Sequence, residues 1–188
     1  AGVNFADTGA NAGGGLDLSS STPTAATCYK AGSGYVLFTP AVTSENGTTP
    51  PTVTLHNAAI NNTAATANSN ALALPSGNVT VTLDAGTVNT LSSNYYGLYT
   101  ANGSPTIGGS GTLNVTGSAV NGIHAGGSLT IQDSAVITAT SKLPIYAKGN
   151  ILVNGSSSVN AVKTDGLNPA LESADGSVTL NTTGTVSA

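Results

Sequence analysis

The chain has no arginine, tryptophan or methionine and one cysteine, and only 6% of its 188 residues are charged. An average soluble domain carries about 25% charged residues. Each shortage excludes a class of protein. A nucleic-acid partner demands a basic footprint, whereas Lys30, Lys142, Lys148 and Lys163 are the only strong cations and the net charge is -4. Cys28 has no second thiol to pair with, so it reads as a buried, inert group. No apolar run approaches the roughly 20 residues of a membrane helix, and membrane insertion is not expected. The strong helix formers Glu, Gln, Lys and Arg are almost missing, which disfavours helical bundles.

What fills the chain is Thr, Val, Ser, Asn and 24 glycines, a composition of β-strands and turns. At 39% hydrophobic residues with little charge it should fold and not remain disordered. A surface of hydroxyls, amides and glycine suits an extracellular or cell-surface protein that meets neutral polar ligands.

A repeat organises the second half. Gly97-Leu98-Tyr99-Thr100, Gly122-Ile123-His124-Ala125, Pro144-Ile145-Tyr146-Ala147 and Ala170-Leu171-Glu172-Ser173 recur at intervals of 22 to 26 residues. Each is followed by two further short strands, such as Leu129-Thr130-Ile131 and Val136-Ile137-Thr138. An earlier copy uses Leu72-Ala73-Leu74, Val81-Thr82-Leu83 and Val88-Asn89-Thr90, and a fainter first copy uses Val36-Leu37-Phe38, Val53-Thr54-Leu55 and Ile60-Asn61-Asn62. Three period-2 strands per repeat, separated by Gly, Asn, Ser and Asp, describe one triangular coil of a parallel β-helix. The expected architecture is all-β, about five such coils spanning residues 34–188, with residues 1–33 as an irregular cap or tail. An antiparallel sandwich would have no reason to repeat one three-strand register. The chain stops within a third strand, so the helix is expected to be truncated there, or to associate end to end with another copy.

Alternation along each strand assigns the inside and the outside. Leu72, Leu98, Ile123, Ile145 and Leu171 should form one internal stack, and Leu83, Ile107, Ile131, Val153 and Leu180 another. Outward positions fall into columns about 4.8 Å apart, the separation of neighbouring strands. The first runs Leu37, Ala73, Tyr99, His124, Tyr146, Glu172; the second Thr54, Thr82, Thr106, Thr130, Leu152, Thr179; the third Asn61, Asn89, Asn114, Ile137, Asn160, Ser187.

Tyr99, His124 and Tyr146, joined by Tyr95 and Tyr96 on the loop entering that face, form the candidate carbohydrate site, because rings on a rigid face pack on sugars while their polar tips bond hydroxyls. The competing reading is cross-strand ring packing that merely stabilises the sheet. The threonine column is either a product of β-propensity or a poor ice-binding plane interrupted at Leu152. Stacked amides in the third column would be structural. Asp165, Glu172 and Asp175 lie close in sequence and offer oxygen ligands for Ca²⁺, the one cofactor to consider, against the plainer reading of solvated loop acids. No outward column carries the two neighbouring carboxylates of a glycoside hydrolase, and no catalytic residue is assigned.

The run from Ala71 to Leu91, then Gly97-Leu98-Tyr99, Gly108 to Thr116 and Asn121 to Ala125, resembles the clostridial cell-surface carbohydrate-binding β-helix family, which is similar in fold to the pectate-lyase superfamily. The resemblance implies a right-handed helix in a bacterial exported protein that binds acidic plant polysaccharide and holds calcium. Right-handedness agrees with the general preference for right-handed crossovers. Of the acidic turn positions of that family only Asp175 is kept; Gly126-Gly127-Ser128 and Gly149-Asn150 replace the others. The function expected is a non-catalytic carbohydrate-binding or adhesive surface module, its partner a plant cell-wall polysaccharide or a surface glycan. The rival expectations are a structural or adhesin stalk that binds a protein, and a polysaccharide lyase-like enzyme.

Overall fold

The computed structural model describes residues 4–6, 14–20, 22–45, 47–64 and 69–188; residues 1–3, 7–13 and 21 of the expected cap lie outside the described residues. Among the described residues there is no helix, and the strands wind into a parallel β-solenoid of about five turns. Three faces result. The first carries Leu72–Ala73, Leu98–Thr100, the ends of Thr112–Ala125 and Val136–Ala147, and Leu171–Ser173. Thr52–His56, Thr80–Leu83, Thr106–Gly109, Leu129–Ile131, Ile151–Gly155 and Val178–Thr182 make the second. On the third are Ala59–Asn62, Val88–Ser93, the starts of the two long strands, Ser158–Lys163 and Val186–Ser187.

The inner stack of the first face is the expected one: Leu72, Leu98, Ile123, Ile145 and Leu171 are neighbours in register. On the second face Ile107, Ile131, Val153 and Leu180 align, but the coil before them contributes Val81, and Leu83 pairs with Gly109. The strand Thr80–Leu83 alternates for its full length, so a slip by two residues keeps every side chain on its face. Gly109 decides the register: a Cβ there would stand 2.2 Å from the Leu83 carbonyl oxygen, and its φ of +95° suits glycine. The outward threonine column therefore runs Thr52, Thr80, Thr106, Thr130, Leu152, Thr179, with Thr54 and Thr82 in a second row opposite Gly108.

The expected asparagine column does not form. Asn89, Leu113, Ile137, Val159 and Val186 share one inward row, and the outward row is Ala59, Thr90, Asn114, Thr138, Asn160, Ser187. Asn89 is fully buried, and hydrogen bonding makes this tolerable. Its Oδ1 accepts the Ala58 N–H at 2.9 Å, and its Nδ2 donates to Thr87 Oγ1 and the Thr112 carbonyl, both at 3.2 Å.

The first coil also differs from expectation. Gly34–Thr39, which contains Val36-Leu37-Phe38, runs antiparallel to Thr52–His56 on the second face and forms a hairpin with Thr27–Ala31. Alternation fixes which side chains point inward but not the direction of the strand. Its buried residues Tyr29, Val36 and Phe38 pack on the core. The first-face position is taken by Leu16–Asp17, parallel to Leu72–Ala73. Asp17, and not Leu37, therefore heads the column that leads to Tyr99.

Candidate functional site

The five ring residues expected from the sequence come together. Tyr99, His124 and Tyr146 are adjacent in three successive strands, followed by Glu172. The His124 ring lies between the other two, 5.3 Å from Tyr99 and 4.8 Å from Tyr146 between centroids, with interplanar angles of 29° and 18°. Tyr96 stacks on Tyr99 at 5.0 Å and 8° and leans on His124 at 4.7 Å, and Tyr95 meets Tyr96 at 4.3 Å. Successive strands spaced about 4.8 Å apart bring flat side chains to this separation without adjustment. The ring faces are consequently turned on one another, and edges and hydroxyls are what the ladder offers outward. Tyr146 stacks on His124 on one side, and its register neighbour on the other is Glu172.

Corners hold the rings in place. The fully buried Ser93 donates from Oγ to the Tyr96 carbonyl at 2.6 Å and accepts the Tyr95 N–H at 3.2 Å, which fixes the turn carrying both tyrosines. Gly97 lets that turn pass close to the next coil, since a Cβ would stand 2.3 Å from Val115 Cγ2. Asn121 sets the imidazole. Its Nδ2 donates to the Leu143 carbonyl at 2.9 Å, so its Oδ1 accepts the His124 Nδ1–H at 3.2 Å. Neutral His124 then carries its lone pair on Nε2. Burial holds its pKa below the ordinary value and keeps it neutral at pH 7. Burial also raises the Tyr96 phenol, assisted by its hydrogen bond with Tyr95 and by repulsion from the phenols of Tyr95, Tyr99 and Tyr146.

Beside the ladder lies a cleft of about 300 Å³, whose lining includes Tyr96, Val120, His124, Lys142, Tyr146 and Asn168. Unequal corners create it. Measured from the row of Leu91 on the third face to the row of Leu98 on the first, Leu91 to Leu98 is seven positions, Val115 to Ile123 eight, Ala139 to Ile145 six and Ala161 to Leu171 ten. Where the long strand bulges, Ser118, Ala119 and Val120 stand opposite Lys142 alone. The short corner is thus a notch between two longer ones, with Leu143 and Tyr146 at its floor and Val120 and Asn168 on its walls. Bulges of this kind commonly border binding sites. The lining residues Val120, Lys142, Leu143 and Asn168 were not singled out by reading strands; their signal was the short interval of 22 residues between Gly122 and Pro144.

The three expected calcium ligands are not gathered. Asp165 caps its own loop, its Oδ1 accepting the Leu167 N–H at 3.2 Å and its carboxylate facing Asn168 Nδ2 at 3.4 and 3.5 Å. Glu172 stands in the ring column, and Asp175 lies at the following corner, where its N–H donates to the Lys148 carbonyl at 2.8 Å. Among the described residues no three His, Cys, Asp or Glu side chains cluster in a way that could hold a metal ion. Cys28 is buried, which raises its thiol pKa.

No helix of the described residues is long and apolar enough to cross a membrane. No curated protein and no solved structure matches the chain. One family model does, over residues 20–187, a span that includes the whole ring ladder: the chain belongs to the family described as carbohydrate-binding domain-containing protein.

Proposed function

We propose that the protein is a non-catalytic carbohydrate-binding module, and that its glycan seats in the notch beside Tyr146. The observation that carries this reading is the opening of a pre-stacked ring ladder into a cleft, in a chain whose family is named for carbohydrate binding. A cleft of about 300 Å³ is at the small end of ligand pockets and suits one or two sugar units of a longer chain. Tyr146 supplies the apolar floor, Lys142 and the phenols donate hydrogen bonds, and Nε2 of neutral His124 accepts one. Because the rings brace each other, little side-chain freedom is lost on binding, which lowers the cost of association. A plant cell-wall polysaccharide is the partner in this reading, and an exported or surface-attached protein is the setting in which the two would meet. The carboxylate nearest in register to the rings, and so the first to respond to Ca²⁺ in the test below, is Glu172.

The test is electrophoresis through gels containing neutral and acidic polysaccharides, with Ca²⁺ and with chelator, on the native chain and on Tyr146→Ala and Tyr99→Ala. Retardation on at least one polymer, weakened in Tyr146→Ala, is the expected result. Retardation undiminished by both substitutions together removes the ring site, and none on any polymer removes the module. Ultraviolet absorbance from unsaturated uronate ends would show a lyase and overturn the non-catalytic part.

A further inference from the structure

The chain has two histidines, and both stand in the same kind of setting on different faces. His124 lies parallel to Tyr146, with the carboxylate of Glu172 on the next strand of the column. His56 lies parallel to Tyr35, ring centroids 4.9 Å apart and planes 10° apart, and its Nδ1 is 2.9 Å from Asp84 Oδ2. Register explains the second group. Lys30 pairs with Tyr35 and Tyr35 with His56, and Leu55 pairs with Leu83, so Asp84 follows His56. Four adjacent strands thereby present one outward row of Lys30, Tyr35, His56 and Asp84, about 14 Å long at the usual strand separation. The side chains of His56 and Asp84 are 41% and 35% exposed, so the polar groups of this row meet solvent.

Such a row is costly to explain as packing alone. Aromatic residues are 4% of the chain, and a ring pair with a hydrogen-bonded carboxylate occurs here away from the first ladder, on the second face and at the first coil. From this geometry we infer a second carbohydrate contact, for a neutral glycan with vicinal hydroxyls. Asp84 accepts from a hydroxyl pair, its bond to His56 Nδ1–H directs Nε2 outward as a further polar contact, and Lys30 donates at the other end. A uronate is disfavoured by the Asp84 charge. The inference rests on the reading of the protein as a carbohydrate-binding module but uses none of the notch residues. Two contacts on two faces let one molecule engage two glycan segments, and a polymer is then held more tightly than either contact alone would hold it.

With one histidine in each place, the two imidazole proton resonances report the two contacts separately in one NMR titration. The probes are cellohexaose, xylohexaose and mannohexaose, with hexagalacturonate as the anionic comparison. The expected result is a saturable shift of the His56 resonances with at least one neutral probe, stronger than with hexagalacturonate, and weakened about tenfold in Asp84→Asn. The unchanged His124 resonance certifies that the variant is folded. A His56 signal unmoved by every neutral probe at millimolar concentration overturns the second contact, whatever His124 does. A His56 shift without a His124 shift leaves it standing and removes the notch as the site.

Discussion

The hydroxyl oxygen of Ser128 accepts the backbone N–H of Asn150, one coil further along, at 3.0 Å. The relation is repeated on both sides: Asn78 Oδ1 accepts Ser104 N–H at 3.2 Å, Ser104 Oγ accepts Ser128 N–H at 3.0 Å, and Asn150 Oδ1 accepts Ser177 N–H at 2.9 Å. At this corner the coils cannot rely on strand pairing alone, and short polar side chains supply the acceptors that turning backbone would otherwise lack. The spine runs along the edge between the first and second faces, so it stiffens the support of the ring ladder.

Ser128→Ala removes one acceptor from the middle of that spine and leaves the Asn150 N–H without it. The expected loss is about 1 kcal/mol of stability, since water partly replaces a half-exposed acceptor. Urea denaturation measures it, and glycan retention should be unchanged. A loss of retention with unchanged stability would mean that the spine takes part in binding directly.

The middle and the end of one inner row should respond differently to truncation. Val153 is fully buried, whereas its register neighbour Leu180 is 54% exposed. Ile131→Ala, in the same row and fully buried, should cost about 2–5 kcal/mol. Leu180→Ala should cost under about 1 kcal/mol, because little apolar area returns to water. Chemical denaturation of the two variants side by side checks the contrast.

These contrasts show how much of the molecule was legible. The ring column was readable because Tyr99, His124 and Tyr146 each follow an inward Leu or Ile after a Gly or Pro, and no neighbouring frame fits the pattern. Thr80–Leu83 was ambiguous because two frames two residues apart bury the same faces, and only the closeness of Gly109 to Leu83 selects one. Asn89 was misplaced because an inward amide breaks alternation, and its compensation comes from Ala58 and Thr112, distant in sequence. The direction of Gly34–Thr39 leaves no trace in a pattern of burial. The notch was hidden for another reason: it is made by a difference in corner length between coils, not by any residue type.

Stability should fall as the solution is acidified through the histidine range. Burial lowers the pKa of His124 in the folded state, so the unfolded chain binds the proton more readily. Stability from this group is complete above the unfolded pKa of about 6.5 and is lost progressively below it, until the lower folded value is reached. Melting temperatures taken between pH 7.5 and pH 5 should decline, and His124→Phe should flatten that decline while keeping a ring between Tyr99 and Tyr146. An equal decline in the variant would assign the pH dependence to other groups.

Gly97→Ala tests whether the tyrosine turn must lie where it does. The added methyl would stand 2.3 Å from Val115 Cγ2, 2.8 Å from the Gly122 carbonyl and 3.0 Å from the Thr116 carbonyl, and two of these three are backbone atoms with little room to yield. The turn must therefore move outward, which strains the Ser93 bonds to Tyr95 and Tyr96 and draws the Tyr96 ring away from Tyr99 and His124. Overpacking of this kind costs about 1–3 kcal/mol. Since Tyr96 also lines the notch, glycan retention should weaken in the same variant, and the His124 resonances should shift as the ring beside it departs. Lower stability with retention and resonances unchanged would show that Tyr96 is a brace for the coil and takes no part in the site.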